Sequence, residues 1–317
     1  MNLLEKLYSL IIFLAVVIGL GIGQFELVRD NAESFIIPLL VAMLYITFLQ
    51  IPTEEIKKSF RNIKFTYTSV MINFIWTPVL AWLLAMVFLS DHPALYIGFI
   101  MLMVTPCTDW YLIFTGIAKG NVALSTVILP LNLFLQVILL PFYLLVFGGA
   151  TGVVELGFLV ESVLIVLVIP LILALITKKL FRNKQHLKDD FISKLSVYPI
   201  IFLSLAIIAM FASQGQLLMD NLSLLWQITL PILLFFVINF IVGQKVGRSM
   251  KFSYSDRASL SLTTLARNSP IALAIAMTAF SDQPLIALVL VIGPLLELPI
   301  LAIVTQLLLF INKGSKH

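Results

Sequence analysis

Met103-Val104-Thr105-Pro106-Cys107-Thr108-Asp109-Trp110 lies in the middle of a hydrophobic run from Ala94 to Ala118. Proline breaks the helical ladder, and the aspartate puts a charge in lipid at a cost of at least about 2–3 kcal/mol. A second run, Arg257 to Phe280, is interrupted in the same way by Arg267-Asn268-Ser269-Pro270. Charges inside a membrane mark solute or ion pathways as a rule. Two interrupted spans in corresponding halves of a chain point to the binding site of a secondary transporter.

The rest of the composition places these breaks in a membrane. The chain has 317 residues, of which 61% are hydrophobic and only 11% charged, against about 25% charged in a soluble domain. A spanning helix needs about 20 apolar residues. Ten stretches qualify, near 7–25, 35–51, 66–89, 94–118, 121–147, 156–177, 192–213, 223–244, 257–280 and 284–311. The residue alternation of a membrane β-barrel is absent, so the spans are read as helices. The segment after Lys6, Leu10 to Gly23, lacks a small-x-small cleavage site and is expected to stay as the first span. The connections are short, which leaves no room for a soluble catalytic domain and predicts a protein that is not an enzyme. No phosphate-binding loop of the type Gly-x-x-x-x-Gly-Lys-[Ser/Thr] occurs, which argues against an ATP-driven pump. His92, His186 and His317 are scattered, so neither a metal site nor a cofactor is expected.

The net charge of +4 reflects orientation rather than nucleic-acid binding. Of the 20 Lys and Arg residues, 18 fall in alternate loops or near the termini. They cluster at Lys57 to Lys64, Lys119, Lys178 to Lys194 and Lys245 to Arg257. By the positive-inside rule both termini are cytoplasmic. Arg29 lies on the opposite side, with Glu26, Asp30, Glu33, Asp91, Asp220 and Asp282, and Arg267 lies within the membrane.

The predicted fold class is an all-α integral membrane protein of ten transmembrane helices. Ten spans divide into five plus five, and an odd number per half inverts one half against the other. The repeats are expected at residues 1–147 and 148–317. Each fourth span carries the break, at Pro106 and Pro270. Each fifth span carries proline and polar residues: Pro130, Asn132 and Gln136 in one, Pro294 and Glu297 in the other. The broken helices, spans 4 and 9, are expected to cross near the bilayer centre. Ser269 before Pro270 reads as an N-cap followed by proline at the first helical position, and Thr108 or Asp109 fits the same role after the first break. Each second half-helix then starts at mid-membrane with its positive dipole end toward the crossing, which favours an anion or an oxygen-rich solute.

Three segments resemble the bile acid:sodium symporter superfamily, and within it the arsenical-resistance permeases. Thr105-Pro106-Cys107-Thr108 is similar to the permeases' Pro-Cys-Thr. Gly293-Pro294-Leu295-Leu296-Glu297-Leu298-Pro299 is similar to their Gly-Pro-Leu-x-Glu-x-Pro. Ala272-Leu273-Ala274-Ile275-Ala276 resembles the run after their span-nine break. The resemblance implies a core of spans 3–5 and 8–10, a panel of spans 1, 2, 6 and 7, and a solute site between them. It also implies sodium ligands, a Glu and a Gln, in the sodium-coupled branch. Their places are taken here by Thr263 and Arg267, which predicts coupling to protons instead.

The candidate binding or coupling residues are Cys107, Thr108, Asp109, Asn132, Arg267, Asn268, Ser269 and Glu297. Asp109 and Arg267 are expected to pair, either as a structural lock or as part of transport. Cys107 is either a small packing residue or a soft ligand for a thiophilic metalloid. Glu297 is either a partner of backbone freed by Pro294 or a proton carrier. Asn73, Asn239 and Gln136 are read as interhelical hydrogen-bonding residues. The expected function is proton-driven efflux of arsenite or antimonite across the plasma membrane, with ion-coupled uptake of an organic anion as the alternative. Membrane lipid is the other expected contact.

Overall fold

The computed structural model describes residues 8–50, 62–107, 110–149, 156–181, 192, 194–195, 197–220 and 222–314. Among them the structure is helical, with no β-strand beyond one isolated bridge. We number the helices α1 (Tyr8–Ile22), α2 (Glu26–Gln50), α3 (Ile63–Phe88), α4 (Pro93–Val104), α5 (Trp110–Ile117) and α6 (Val122–Gly148). The second half holds α7 (Leu159–Leu180, preceded by residues 156–158 in the same helix), α8 (Tyr198–Asp220) and α9 (Leu222–Ser249). It closes with α10 (Tyr254–Leu265), α11 (Ser269–Ala279) and α12 (Pro284–Gly314). Seven helices are long and apolar enough to cross a membrane, and the apolar helices at Leu10–Ile22, Pro93–Val104 and Ser269–Ala279 are shorter.

Both expected interruptions are present. The first run splits into α4 and α5, the second into α10 and α11. Two helix ends depart from hydropathy. The second span starts at Glu26 instead of near residue 35, so Glu26, Asp30 and Glu33 lie in α2 and not in a loop, with Glu26 in its first turn. Carboxylates are favourable against the positive end of a helix, and Arg29 pairs locally with Glu26 at 3.7 Å and Asp30 at 3.6 Å. At the other end of the chain's second half, α9 runs on through Lys245 and Arg248 to Ser249.

The helices pack as two groups. Helices α1, α2, α7 and α8 pack on one another, most extensively α8 on α2 and α1. Gly19 and Gly23 let α1 approach α8 closely: a Cβ on Gly23 would stand 2.5 Å from the Ala212 carbonyl, and one on Gly19 2.7 Å from that of Ile208. Small residues four apart are the usual way to bring helix backbones together in lipid. In the second group α4 packs on α12, α3 and α6, and α9 on α10. Half-helix α11 lies at the seam, touching α12 and α4 on one side and α2 and α7 on the other.

Two local features fix where the breaks sit. The corner between α5 and α6 is tied to the start of α10: Asn121 N–H donates to Ser255 O (3.1 Å), its Nδ2 to Asp256 Oδ1 (2.9 Å), and Tyr254 OH to Ala118 O (2.7 Å). Helix α3 contains a π-turn at Ile72–Trp76. Such a bulge frees carbonyls from the ladder, and Phe74 O accepts from Tyr143 OH of α6 at 2.5 Å. The turn also aims Asn73 and Trp76 toward α9 and α10.

Candidate functional site

The two breaks meet as a pair of antiparallel strand-like residues. Cys107 N–H donates to Ala266 O at 2.9 Å, and Asn268 N–H donates to Thr105 O at 2.7 Å, forming a bridge between Pro106 and Arg267. A shift of 161 residues carries α4 onto α10, both 12 residues long, and carries Pro106 onto Arg267. It also exchanges the two bonds, so equivalent positions of the two breaks pair with each other. A threonine hydroxyl closes the last turn before each break. Thr105 Oγ1 donates to Met101 O (2.9 Å), and Thr264 Oγ1 to Leu260 O (2.8 Å). Met101 O is one of the last four carbonyls of α4, which a terminating helix otherwise leaves without partners.

The cap of α11 differs from the sequence expectation. Asn268, not Ser269, is the N-cap: its Oδ1 accepts from Ile271 N–H at 3.3 Å. Ser269 is the first helical residue and Pro270 the second. Asparagine wins because one residue must leave helical geometry to make the bridge, and Asn268 already has its N–H engaged with Thr105. The Ser269 hydroxyl is buried without a partner among the described residues.

Arg267 is 3% exposed and its guanidinium is held by oxygens. Nη1 donates to Met103 O (2.8 Å), Nε to Leu265 O (3.0 Å), and Nη2 to Thr264 O and to Asn73 Oδ1 (3.4 Å). The Phe235 ring lies 5.2 Å beneath it, a cation–π distance. Asn73 Nδ2 reaches Thr263 O (3.4 Å), and Asn239 bridges α9 to Thr264 O (3.0 Å) and Thr77 Oγ1 (3.2 Å) while accepting from Trp76 Nε1 (3.0 Å). The expected interhelical role of Asn73 and Asn239 holds here, and both are fully buried. The Arg267 backbone N–H donates to Glu297 Oε1 at 2.8 Å, tying the second break to α12.

Of the sequence-selected residues, Cys107, Arg267, Asn268 and Glu297 therefore meet at the crossing through named bonds. Cys107 is 1% exposed and Glu297 4%. Thr108 and Asp109 lie outside the described residues, and with them the expected Asp109–Arg267 pair. Asn132 stands apart from the bonded network. It is fully buried on α6, and neither atom of its amide has a hydrogen-bond partner among the described residues. The same is true of Gln136 one turn later, which the sequence reading assigned to interhelical bonding. A buried polar group without a partner costs about 1–3 kcal/mol, so two such amides on one helix face are a costly feature. The Thr263 hydroxyl on α10 is also buried without a partner among the described residues. Met103, Thr264 and Leu265 contribute through their carbonyls, which leave no signature in the side-chain sequence.

The chain belongs to the sodium bile acid symporter family: residues 37–221 match the sequence model of that family. It is similar to the arsenical-resistance protein Acr3 of Corynebacterium glutamicum, 25% identical over 95% of this chain and 87% of that protein. It is also similar to Acr3 of Alkaliphilus metalliredigens, 22% identical over 99% of this chain and 93% of that protein. An uncharacterized sodium-dependent transporter of Bacillus subtilis, YocS, is 24% identical over 78% of this chain and 75% of its own length. The chain is thus a multi-pass membrane protein of a secondary-transporter family.

Proposed function

We propose that the protein exports trivalent arsenite or a related metalloid in exchange for protons. The observation that carries this reading is a buried thiol at the crossing: Cys107 stands beside Ala266 and one bridge away from the backbone amide that holds Glu297. Two relatives that span nearly the whole chain are named for arsenical resistance, which supports the same solute. Arsenic is thiophilic. The Cys107 thiol exchanges for one hydroxyl of As(OH)3, forming an As–S bond and releasing water, with no change of oxidation state. Water reverses the exchange on the far side. A single sulfur holds the solute weakly enough to let it go.

Glu297 is the proton-coupling group in this reading. As a carboxylate it accepts the Arg267 N–H; a proton on it weakens that bond and loosens the second break from α12. The N-terminus of α11, capped by Asn268 and starting at Ser269, faces the crossing with its positive end. Thr108 and Asp109, which follow Cys107 in sequence, are assigned to the solute or coupling path in this reading. Asn132 offers donors and an acceptor to the hydroxyls of the solute.

Each broken pair counts as one span, which with α1 makes ten and divides the chain into inverted repeats at 1–147 and 148–317. The 161-residue relation between the breaks supports this division. Helices α1, α2, α7 and α8 then form a panel, against which the remaining helices rock. The protein sits in the plasma membrane with both termini cytoplasmic.

The test is expression in cells lacking arsenite export. Efflux predicts growth in arsenite and lowered cell arsenic, and everted vesicles should accumulate arsenite in response to a pH gradient. Uptake of an organic anion is the second reading, favoured by the family at large and by the sodium-dependent relative. It predicts accumulation of a labelled carboxylate and no resistance.

A further inference from the structure

Two half-helices end at the crossing, and both leave carbonyls there. The last carbonyls of a helix lack intrahelical partners and carry the negative end of its dipole. In α4 this group is Met103 O, and in α10 it is Thr264 O and Leu265 O. All three point at one guanidinium, and Asn73 Oδ1 supplies a fourth oxygen. The ring of Phe235 closes the floor at 5.2 Å. Rings of backbone carbonyls are how membrane proteins replace the hydration shell of an alkali cation. Nothing in this donor set is particular to arginine except that the positive charge is covalently tied to the chain. That charge is permanent, because a guanidinium does not lose its proton in proteins.

We propose that this carbonyl cradle is a monovalent-cation site filled from within by Arg267, so that the protein needs no bound sodium or potassium there. Removing the side chain leaves two negative helix ends and four oxygens facing a space of guanidinium size. Without a positive charge those ends repel and the crossing is destabilised. A free cation of the right size then restores it. Sodium, potassium and the guanidinium ion fit this description; N-methyl-D-glucamine, a bulky organic cation, does not. The inference rests on the crossing being the transport site, but its test uses no solute, so it and the arsenite reading fail separately.

The experiment is thermal unfolding of the purified full-length protein in sodium, potassium or N-methyl-D-glucamine chloride at equal ionic strength. The wild-type protein is expected to melt at the same temperature in all three, within about 1 °C. Arg267→Ala is expected to melt lower in glucamine and to gain at least about 3 °C, saturably, on adding sodium, potassium or millimolar guanidinium, as ligand linkage requires. Arg267→Lys, which keeps the charge, should remain indifferent to the salt. A saturable sodium-dependent rise in the wild type would overturn the proposal. So would an Arg267→Ala protein equally destabilised in every salt. Should Arg267→Ala not fold in plain buffer, Arg267→Gln is measured in its place. If that also fails, the yield of monodisperse protein with and without guanidinium in the medium is the readout, and absence of rescue counts against the cradle.

Discussion

Arg267 and Glu297 meet through the main chain of the one and the side chain of the other. The Arg267 N–H donates to Glu297 Oε1 at 2.8 Å, while the Arg267 guanidinium turns away to carbonyls of both breaks. The carboxylate thus holds the backbone of the break, and its charge also acts on the buried Arg267 guanidinium. Substitutions at Glu297 should separate these roles. Glu297→Gln keeps an acceptor oxygen, so thermal stability should stay near wild type while proton-driven transport is lost. Glu297→Ala leaves a buried N–H alone and should cost about 1–3 kcal/mol in addition. Equal stability of the two variants would show that the bond contributes nothing.

Cys107 joins the bridge through its backbone N–H, which donates to Ala266 O at 2.9 Å, a bond that serine or alanine makes equally well. Cys107→Ser and Cys107→Ala should therefore insert and unfold like the wild type. Both should lose arsenite resistance. Full resistance in Cys107→Ser would mean that oxygen ligands suffice for the solute.

Asn132 and Gln136 present four amide atoms to the interior with no partner among the described residues. Replacing them by apolar residues of similar volume, Asn132→Leu and Gln136→Met, should raise stability by up to about 1–3 kcal/mol each and lower transport. A site kept for function at the expense of stability behaves in this way. Loss of stability on either replacement would indicate that the amides are structural.

The cap of α11 distinguishes two neighbouring residues. Asn268→Ala should cost about 1 kcal/mol through the lost cap. Ser269→Ala removes a buried hydroxyl without a partner and should be neutral or stabilising. The reverse order would return the cap to Ser269. Melting temperatures of the two variants suffice to decide.

Orientation follows from the basic loops. A cysteine introduced at Lys184 in a Cys107→Ser background should react with an impermeant thiol reagent only from the cytoplasmic face. Labelling of intact cells from outside would reverse the topology.

Much of this arrangement was legible in residue order because proline and charge are conspicuous in apolar runs. Pro106 and Asn268-Ser269-Pro270 announced both interruptions, and Cys107, Arg267, Asn268 and Glu297 meet where those interruptions cross. What could not be read is what backbone atoms do. The bonds from Cys107 to Ala266 and from Asn268 to Thr105 involve no side chain. The carbonyls of Met103, Thr264 and Leu265 would serve equally well from other residue types. The expected Asp109–Arg267 pair lies outside the described residues, whereas the carbonyls that hold the Arg267 guanidinium have no counterpart among the side chains a sequence offers. The start of α2 was placed too late because hydropathy penalises the carboxylates that a helix N-terminus welcomes. An ordinary bonding role is what sequence predicts for Gln136, and only the packed structure reveals that its amide has no partner among the described residues.

The bond-for-bond exchange at the bridge has an energetic consequence. If the halves of the chain were identical and inverted, tilting the crossing toward one face of the membrane would be related to tilting it toward the other by a two-fold rotation. The two tilted forms would then be equally populated at zero voltage. Any standing preference must come from positions where the 161-residue equivalence fails. At the bridge all three positions differ in residue type, and the one that changes the backbone bonding is Pro106 against Arg267, a residue without an N–H opposite one whose N–H is bonded to Glu297. The same shift carries Gln136 onto Glu297, so an amide without a partner among the described residues lies where its counterpart has one. In a carrier built on that equivalence, the Arg267–Glu297 hydrogen bond would favour one tilt over the other, because Pro106 has no N–H to make its counterpart.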